Sequence, residues 1–437
     1  MRSTAISPDR PRSAGSWRRV SLAAALLAAG LAGCVTAPAP ATAGNWPKEL
    51  GPVLSWTPPT GTGNPGQCSR IVDRSRDRGA SIQAALAEAR PGQVVCVRKG
   101  NYRDEFVYVR QSGGPDRPIE LRALGRVTTA GFVVEADDII IRGFTVDQGG
   151  VPHPDGWRAG FHLAGSRLGI IGNTVTDPGG YGIHCHLREP HCRDTAIIGN
   201  TVRGADGIGI NAMGRNILVE GNDVSGSVVV EANDADGIRF FGERILIRDN
   251  YVHSIFDRGY AGEGPHTDCF QTFDSGRPST RDVVIEDNIC FDVDHQCLMA
   301  ETPVRGEGAN LVFRRNICVN NGSQGVLVRE FDGLVVEENV FLSTIWYNAV
   351  VLRQSVANAT IRCNLVVGRP AITEIDQSSR RGLRVTGNQR AATVGAVSSA
   401  RAALAAAGCN LPPLSPWLER TSRLPDPDIH FARGRHP

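Results

Sequence analysis

The stretch Ile170-Ile171-Gly172-Asn173-Thr174-Val175 returns unchanged at Ile197–Val202, and its pattern decides the fold. It continues as LVEGNDV (Leu218–Val224), LIRDNYV (Leu246–Val252), VIEDNIC (Val284–Cys290) and VFRRNIC (Val312–Cys318). VVEENVF (Val335–Phe341), TIRCNLV (Thr360–Val366) and RVTGNQR (Arg384–Arg390) complete the series. Its asparagines are 173, 200, 222, 250, 288, 316, 339, 364 and 388, mostly 22 to 28 residues apart with one gap of 38. Self-similarity at that period marks a solenoid.

Within each phrase apolar residues alternate with a period of two, which suits short strands rather than amphipathic helices. A second strand precedes each phrase: GIHC at Gly182, GIGI at Gly207, GIRF at Gly237, CFQT at Cys269, CLMA at Cys297, GVLV at Gly325 and AVVL at Ala349. No helix-forming run long enough for a crossover lies between the phrases, which argues against a doubly wound sheet. A leucine consensus is also missing, so a leucine-rich repeat does not fit. The expected architecture is all-β, a right-handed parallel β-helix whose coils stack ~4.8 Å apart. One asparagine per coil then forms a polar ladder inside a bend.

The ends differ from the repeat. Arg18 and Arg19 precede the apolar run Leu22–Leu31, and Leu31-Ala32-Gly33-Cys34 follows. That string resembles a bacterial lipobox, which implies cleavage after residue 33 and lipidation of Cys34. A plain secretory signal is the alternative. Residues 34–47 read as an Ala, Pro and Thr-rich tether. Removing residues 1–33 takes away five Arg and one Asp, leaving 42 basic against 44 acidic residues and a formal charge of −2. A near-neutral body gives no electrostatic case for nucleic acid. The expected setting is the bacterial cell envelope, with a membrane partner through the lipid anchor and a monomeric body.

Residues 48–127 form an opening region, 128–390 the β-helix, and 391–437 a C-terminal cap with an Ala-rich helix (Ser398–Ala407) and a Pro-rich tail. Ser81–Ala89 is expected to be a short helix capped by Ser81, covering the open end of the coil stack. It leads into Pro91-Gly92-Gln93-Val94-Val95-Cys96, Gly100-Asn101-Tyr102 and Gly113-Gly114-Pro115-Asp116-Arg117-Pro118-Ile119-Glu120-Leu121. Here the chain resembles the pectate-lyase-like superfamily of right-handed β-helix proteins, from about Cys68 to Asn388. The resemblance implies the fold and leaves the reaction open among lyases, hydrolases, epimerases and proteins without activity.

Cys185 and Cys192 enclose a short loop and are expected to bridge in an exported protein. Zinc held by the same cysteines with His184, His186 and His191 is the competing reading. Cys68–Cys96 and Cys363–Cys409 are candidate staples. Cys269, Cys297, Cys290 and Cys318 fall in two stacked columns and are read as small buried side chains rather than disulfides.

The residues before each second strand align as Tyr181, Asp206, Asp236, Asp268, Gln296, Gln324 and Asn348. Three successive carboxylates in one stripe would disturb one another's ionisation and suit acid–base work. His162, His184, Arg239 and Gln271 are outward positions beside them. The 38-residue gap carries the largest insertion, and insertions on one face of a solenoid build binding sites. It contributes Tyr260, Glu263, His266 and Asp268, and the next coil adds Asp294, His295 and Glu301. The bland alternative is that these are ordinary Asp-Gly turns.

The polygalacturonase family offers a sharper resemblance. Ala235-Asp236-Gly237 and Thr267-Asp268-Cys269 match two of its aspartate positions, and His295 lies one place from its histidine. This resemblance implies glycoside hydrolysis by an Asp236/Asp268 pair, assisted by His266, Asp294 and His295. Arg239, Glu263, Gln271, Glu301, Arg329 and Tyr260 are the candidate substrate contacts.

A lyase is the second reading. It needs a base at C5 of a uronate, and only Lys48 and Lys99 exist as lysines, both outside the site region. Arg239, His266 or Arg329 would then serve, with Asp234, Asp236 and Asp268 holding calcium through hard oxygens. The third reading is a non-catalytic surface lipoprotein that binds glycan through Trp157, Tyr260, Trp346 and Tyr347. The expected partner in each case is a polysaccharide.

Overall fold

The computed structural model describes residues 52–58, 68–148, 159–186, 192–230, 234–257, 260, 264–273, 277–302, 307–319, 322–343, 348–368 and 370–414. The export signal, Cys34, the tether, Trp157, His191, Glu263, Trp346 and Tyr347 lie outside these.

The chain is a parallel β-solenoid with three sheets running along its length. The first sheet stacks the strands that enter each phrase, among them Ile139–Arg142, Leu168–Ile171, Cys192–Ile198 and Arg281–Glu286. The second stacks the strands that follow each asparagine, such as Thr174–Thr176, Thr201–Arg203, Asp223–Ser225 and Tyr251–Ile255. The third holds Ala159–Leu163, Tyr181–Cys185, Phe270–Thr272, Leu298–Glu301 and Val326–Arg329. In two coils the third-sheet and first-sheet strands run on without a break, as Ile208–Glu220 and Asp236–Arg248. Every pairing between these strands is parallel and in register.

The bend between first and second sheets explains the repeat. The residue before each ladder asparagine adopts the left-handed conformation, from Gly172 (φ 62°) and Gly199 (φ 62°) to Asp287 (φ 56°) and Gly387 (φ 63°). This turn aims the asparagine inward, where Asn173, Asn200, Asn222, Asn250, Asn288, Asn316, Asn339 and Asn364 are buried. Each backbone N–H donates to the Oδ1 of the next asparagine, as Asn250 N does to Asn288 at 2.9 Å. Each Nδ2 donates back to the preceding coil, as Asn288 Nδ2 does to Ile247 O at 3.0 Å. Buried amides at a bend thus find partners without leaving the stack.

The core is a set of apolar columns with a small-to-large fit. Gly160, Gly182, Gly209 and Gly237 face inward in the third sheet, where an added Cβ would collide with Val175, Val202, Val224 and Val252 across the coil. In the next two coils cysteines replace both partners. Cys269 bridges Cys290 and Cys297 bridges Cys318, with Cα–Cα distances of 6.0 and 5.9 Å. The reading of these four as unbridged columns is therefore corrected: they stack along the columns but bond across the core, where the Gly–Val gap is one disulfide wide. Cys68–Cys96, Cys185–Cys192 and Cys363–Cys409 are also bonded. The bridge between Cys185 and Cys192 removes both thiolates from the zinc reading.

The helix Ile82–Ala87 is capped by Ser81 and buries Ile82 and Leu86 against the first coil. Val397–Ala406 is helical near the other end and buries Val397 and Leu404. Residues 52–58 lie back across the outer face of the first sheet. Leu54 packs with Ala196, Leu218, Leu246 and Val284, and Trp56 Nε1 donates to Asp194 O at 2.7 Å. Nothing in the sequence pattern announces this strap.

In-register stacking also constrains charge. One outward first-sheet column reads Glu220, Arg248, Glu286, Arg314, Glu337, Arg362, and Arg248–Glu220, Arg314–Glu286 and Arg362–Glu337 pair at 2.7 Å each. Alternation avoids like charges one coil apart. Asp249 stands beside this column, and burial together with Asp287 pushes its carboxyl up to about 6. A raised carboxyl contributes stability below its unfolded value, lost as pH rises through the folded value. Asp249→Asn is therefore expected to raise stability at pH 7 by about 1 kcal/mol after discounting for solvent screening, and by nothing near pH 3. Urea unfolding at the two pH values tests this, and an equal gain at both would count against it.

Candidate functional site

Alternation along the third sheet sends one side chain per coil to the core and the next to the outer face. The outer column beginning at His162 continues with His184, Asn211, Arg239, Gln271 and Met299. All six are buried although they point away from the core. Polar residues on a covered outer face are what a binding site requires, and this column organises it.

Arg239 is the centre. Its Nε donates to Gln271 Oε1 at 2.6 Å, and its Nη2 donates to Asp234 Oδ2 at 2.7 Å. Nη2 also meets Asp236 Oδ2 at 2.5 Å as an ion pair without an aligned hydrogen bond. Two residues on, Phe241 shares this face and stacks edge-on with Phe273 at 5.5 Å. The Arg239 guanidinium lies 4.8 Å from the Phe273 ring, and that of Arg277 lies 4.9 Å from Phe241 and 5.0 Å from Phe273. Burial and the neighbouring Arg239 pull Arg277 below the usual guanidinium range. Two guanidinium groups thus meet over the Phe273 ring, with the charge of Arg239 answered by Asp234 and Asp236.

A histidine group flanks the arginines. His184 lies 4.6 Å from the Tyr181 ring and 5.5 Å from His162, and His162 lies 4.8 Å from His186. Asn211 Nδ2 sits 3.1 Å from His184 Nδ1 and 3.2 Å from Cys185 O, so both its hydrogens are donated. His184 then accepts at Nδ1 and carries its proton on Nε2, an assignment made from the network. Burial, followed by the charges of His162, His186 and Arg277, holds His184 well below the usual imidazole range.

The aspartate pair is not on this surface. Asp236 and Asp268 are each 0% exposed. Asp236 Oδ1 accepts from Asp268 N at 2.9 Å, and Asp268 Oδ1 accepts from Gln296 N at 2.7 Å. Gln296 Nε2 donates to Gln324 Oε1 at 3.0 Å, continuing the column to a half-buried position. Burial pushes both carboxyls up, and for Asp268 the charge of Asp236 adds to the effect. The hydrolytic pair is thus corrected: each carboxylate caps the next coil's backbone inside a bend and presents no oxygen to a substrate. The calcium reading fails on the same ground, since Asp234 Oδ2 and Asp236 Oδ2 face a guanidinium, Asp236 Oδ1 accepts from Asp268 N, and the oxygens of Asp268 accept from Gln296 and Gln271. Among the described residues no three His, Cys, Asp or Glu groups are placed to hold a metal.

Asp206 leaves the stripe altogether. Ile208, two places later, is in register with Asp236, and Asp206 Oδ1 instead accepts from Val230 N at 2.7 Å. His266 is exposed and its ring lies 5.0 Å from His295. His295 Nε2 meets Asp257 Oδ2 at 3.1 Å, and Asp257 N donates to Asp294 Oδ2 at 3.1 Å. Burial lowers the His295 imidazole against the pull of Asp257. These residues border the arginine site through Asp234. Tyr260 accepts from Val229 N at 2.8 Å, closing over the neighbouring coil. Glu301 and Arg329 pair with each other at 2.9 Å on later coils. Arg277, Phe241 and Phe273 were not anticipated. Alternation from Arg239 points to Phe241, but nothing in sequence shows that the insertion folds Arg277 back over it.

A family model described as "Right handed beta helix region" matches residues 159–366. Among solved structures, the mannuronan C-5 epimerase AlgE4 A-module of Azotobacter vinelandii is similar at 15% identity and TM-score 0.51, covering 72% of this chain and 91% of that one. A tailspike protein mutant of E. coli bacteriophage HK620, in complex with a pentasaccharide, is similar at 14% identity and TM-score 0.51, covering 70% and 61%. No curated protein matches the chain. The chain folds as a right-handed parallel β-helix.

Proposed function

We propose that this protein is an extracytoplasmic enzyme acting on an acidic polysaccharide by removing the proton beside a uronate carboxylate. The observation that carries this reading is the pair Arg239 and Arg277 over Phe273, with Arg277 also over Phe241 and with Tyr181 and His184 on the same face. Neutralising a uronate carboxylate acidifies its C5–H, and guanidinium groups supply that charge without metal. Tyr181, as a phenolate once its own proton has passed to solvent, and His186, both half-buried, are the groups that can take the C5 proton, while the Nε2–H of His184 can hydrogen-bond the substrate. Loss of that proton begins both β-elimination and C5 epimerisation, so the neighbour named for C-5 epimerisation fits this chemistry. The buried Asp236 and Asp268 remove the support for hydrolysis.

All ten cysteines among the described residues are in disulfides, which fits an oxidising compartment. Lipidation at Cys34 and attachment to the cell envelope complete the proposal; mass analysis of the mature N-terminus tests them.

The activity test uses alginate, polygalacturonate and a neutral polysaccharide. Elimination is expected to give the ultraviolet absorbance of an unsaturated uronate, and epimerisation exchange of C5–H with solvent deuterium, on an acidic polymer only. Tyr181→Phe is expected to lower the rate by about 100-fold if Tyr181 is the base. Reducing ends without either signal would restore hydrolysis, and binding without turnover would leave a glycan-binding protein.

A further inference from the structure

The column at the third-sheet bend mixes buried carboxylates with amides. Nine coils show that asparagine serves as a ladder residue: its Oδ1 accepts a backbone N–H and its amide donates to the adjoining coil. In the third-sheet column the chain places Gln296, Gln324 and Asn348 on three coils but Asp236 and Asp268 on two. A buried carboxylate costs more than a buried amide unless a cation answers it. The two coils with carboxylates are those whose outer positions are Arg239 and Gln271.

We propose that Asp236 and Asp268 are positioning residues, buried carboxylates that fix the Arg239 guanidinium for a substrate carboxylate on the outer face. Asp236 acts directly through Nη2 at 2.5 Å. Asp268 acts through Gln271, whose Nε2 donates to Asp268 Oδ2 at 3.0 Å while its Oε1 accepts from Arg239 Nε at 2.6 Å. That donation sets the Gln271 amide with its oxygen toward the arginine. Asp234 takes the other contact at Nη2, and Phe273 covers one face. The Nη1 edge is left without a partner among the described residues, and it is the edge offered to an anion. Fixing a planar fork in advance saves the ordering cost that a mobile arginine would pay on binding.

The inference rests on the acidic-polysaccharide reading, and its test separates the two. Asp236→Asn keeps the amide oxygen that accepts from Asp268 N and removes the charge facing Arg239. A purely structural ladder residue would lose nothing by this change. The expected result is a folded protein, unfolding within a few degrees of the wild type, whose Kd for polygalacturonate or alginate rises about tenfold. KM should rise more than kcat falls, and Asp268→Asn should show the same direction with a smaller effect. Unchanged affinity in a folded Asp236→Asn protein would overturn the proposal.

A second measurement needs no variant and no substrate. The Arg239 Nε–H of the wild type, followed by NMR, is expected to exchange with water at least about tenfold more slowly than exposed arginines. Exchange at the exposed rate would overturn the positioning role even if Asp236→Asn failed to fold. A wild type that binds no uronic-acid polymer but shows slow Arg239 exchange would sink the functional reading and leave the held guanidinium in place.

Discussion

Asn288→Ala is expected to destabilise the β-helix by about 4 kcal/mol. Its Oδ1 accepts from Asn250 N and Asn250 Nδ2 at 2.9 Å each. Its Nδ2 donates to Ile247 O and to Asn316 Oδ1 at 3.0 Å each. Alanine deletes four hydrogen bonds in a buried bend and leaves the Asn250 backbone N–H without its acceptor, while Asn316 Oδ1 and Asn250 Nδ2 keep their other partners. The damage also sits in mid-stack, where each coil depends on its two neighbours. Asn388 closes the far end of the same ladder, and its backbone surroundings are exposed. Asn388→Ala should therefore cost less than half as much. Chemical unfolding of the two variants checks the prediction, and comparable losses would show that burial does not set the ladder's worth.

Arg239→Ala is expected to abolish binding of an acidic polymer and to destabilise the protein in a pH-dependent way. The arginine answers the Asp236 carboxylate, which is 0% exposed. Even with that partner, burial raises the Asp236 carboxyl to about 6, and without it the value must climb further. Between the unfolded carboxyl value near 4 and the raised folded value, the native state binds the extra proton, so stability falls as pH rises through that window. The variant should lose about 3 kcal/mol at pH 8 and much less near pH 5. Adding Asp236→Asn removes the stranded charge and should restore most of the stability at pH 8, but not the binding. A loss independent of pH, or no rescue, would mean that the arginine acts through packing alone.

The two predictions concern parts of the molecule that were unequally legible. The asparagine ladder was open to reading because each coil repeats the same local solution: a left-handed residue, an inward amide and an alternating strand. Solenoid register is nearly one-dimensional, so period and phase suffice to stack the coils. The stripe of carboxylates was misread for a related reason. Asp206-Gly207 looks like Asp236-Gly237, yet the inward Ile210 aligns with Ile238 and shifts Asp206 two places out of the column. A dipeptide carries less energy than a core column, so the core decides register.

Facing was the second difficulty. At a bend the alternation of inward and outward side chains breaks, and an aspartate there can serve either surface. Asp236 and Asp268 are buried because one oxygen of each accepts the next coil's backbone N–H and the other meets Arg239 or Gln271. The cysteines show the same limit. Their columns were visible in sequence, but the choice between stacking and bridging depends on the width of the core between two sheets.

The sequence by itself determined the solenoid, its parallel strands, the ladder and the coils among which a site had to lie. These rest on periodic, local interactions that each repeat states again. Only the tertiary structure decided that the aspartates are buried, that Arg239 and Arg277 share the Phe273 ring, and that residues 52–58 strap the outer face. Those contacts join residues from different coils and from an insertion without a period, and the space between them exists only once the coils have stacked.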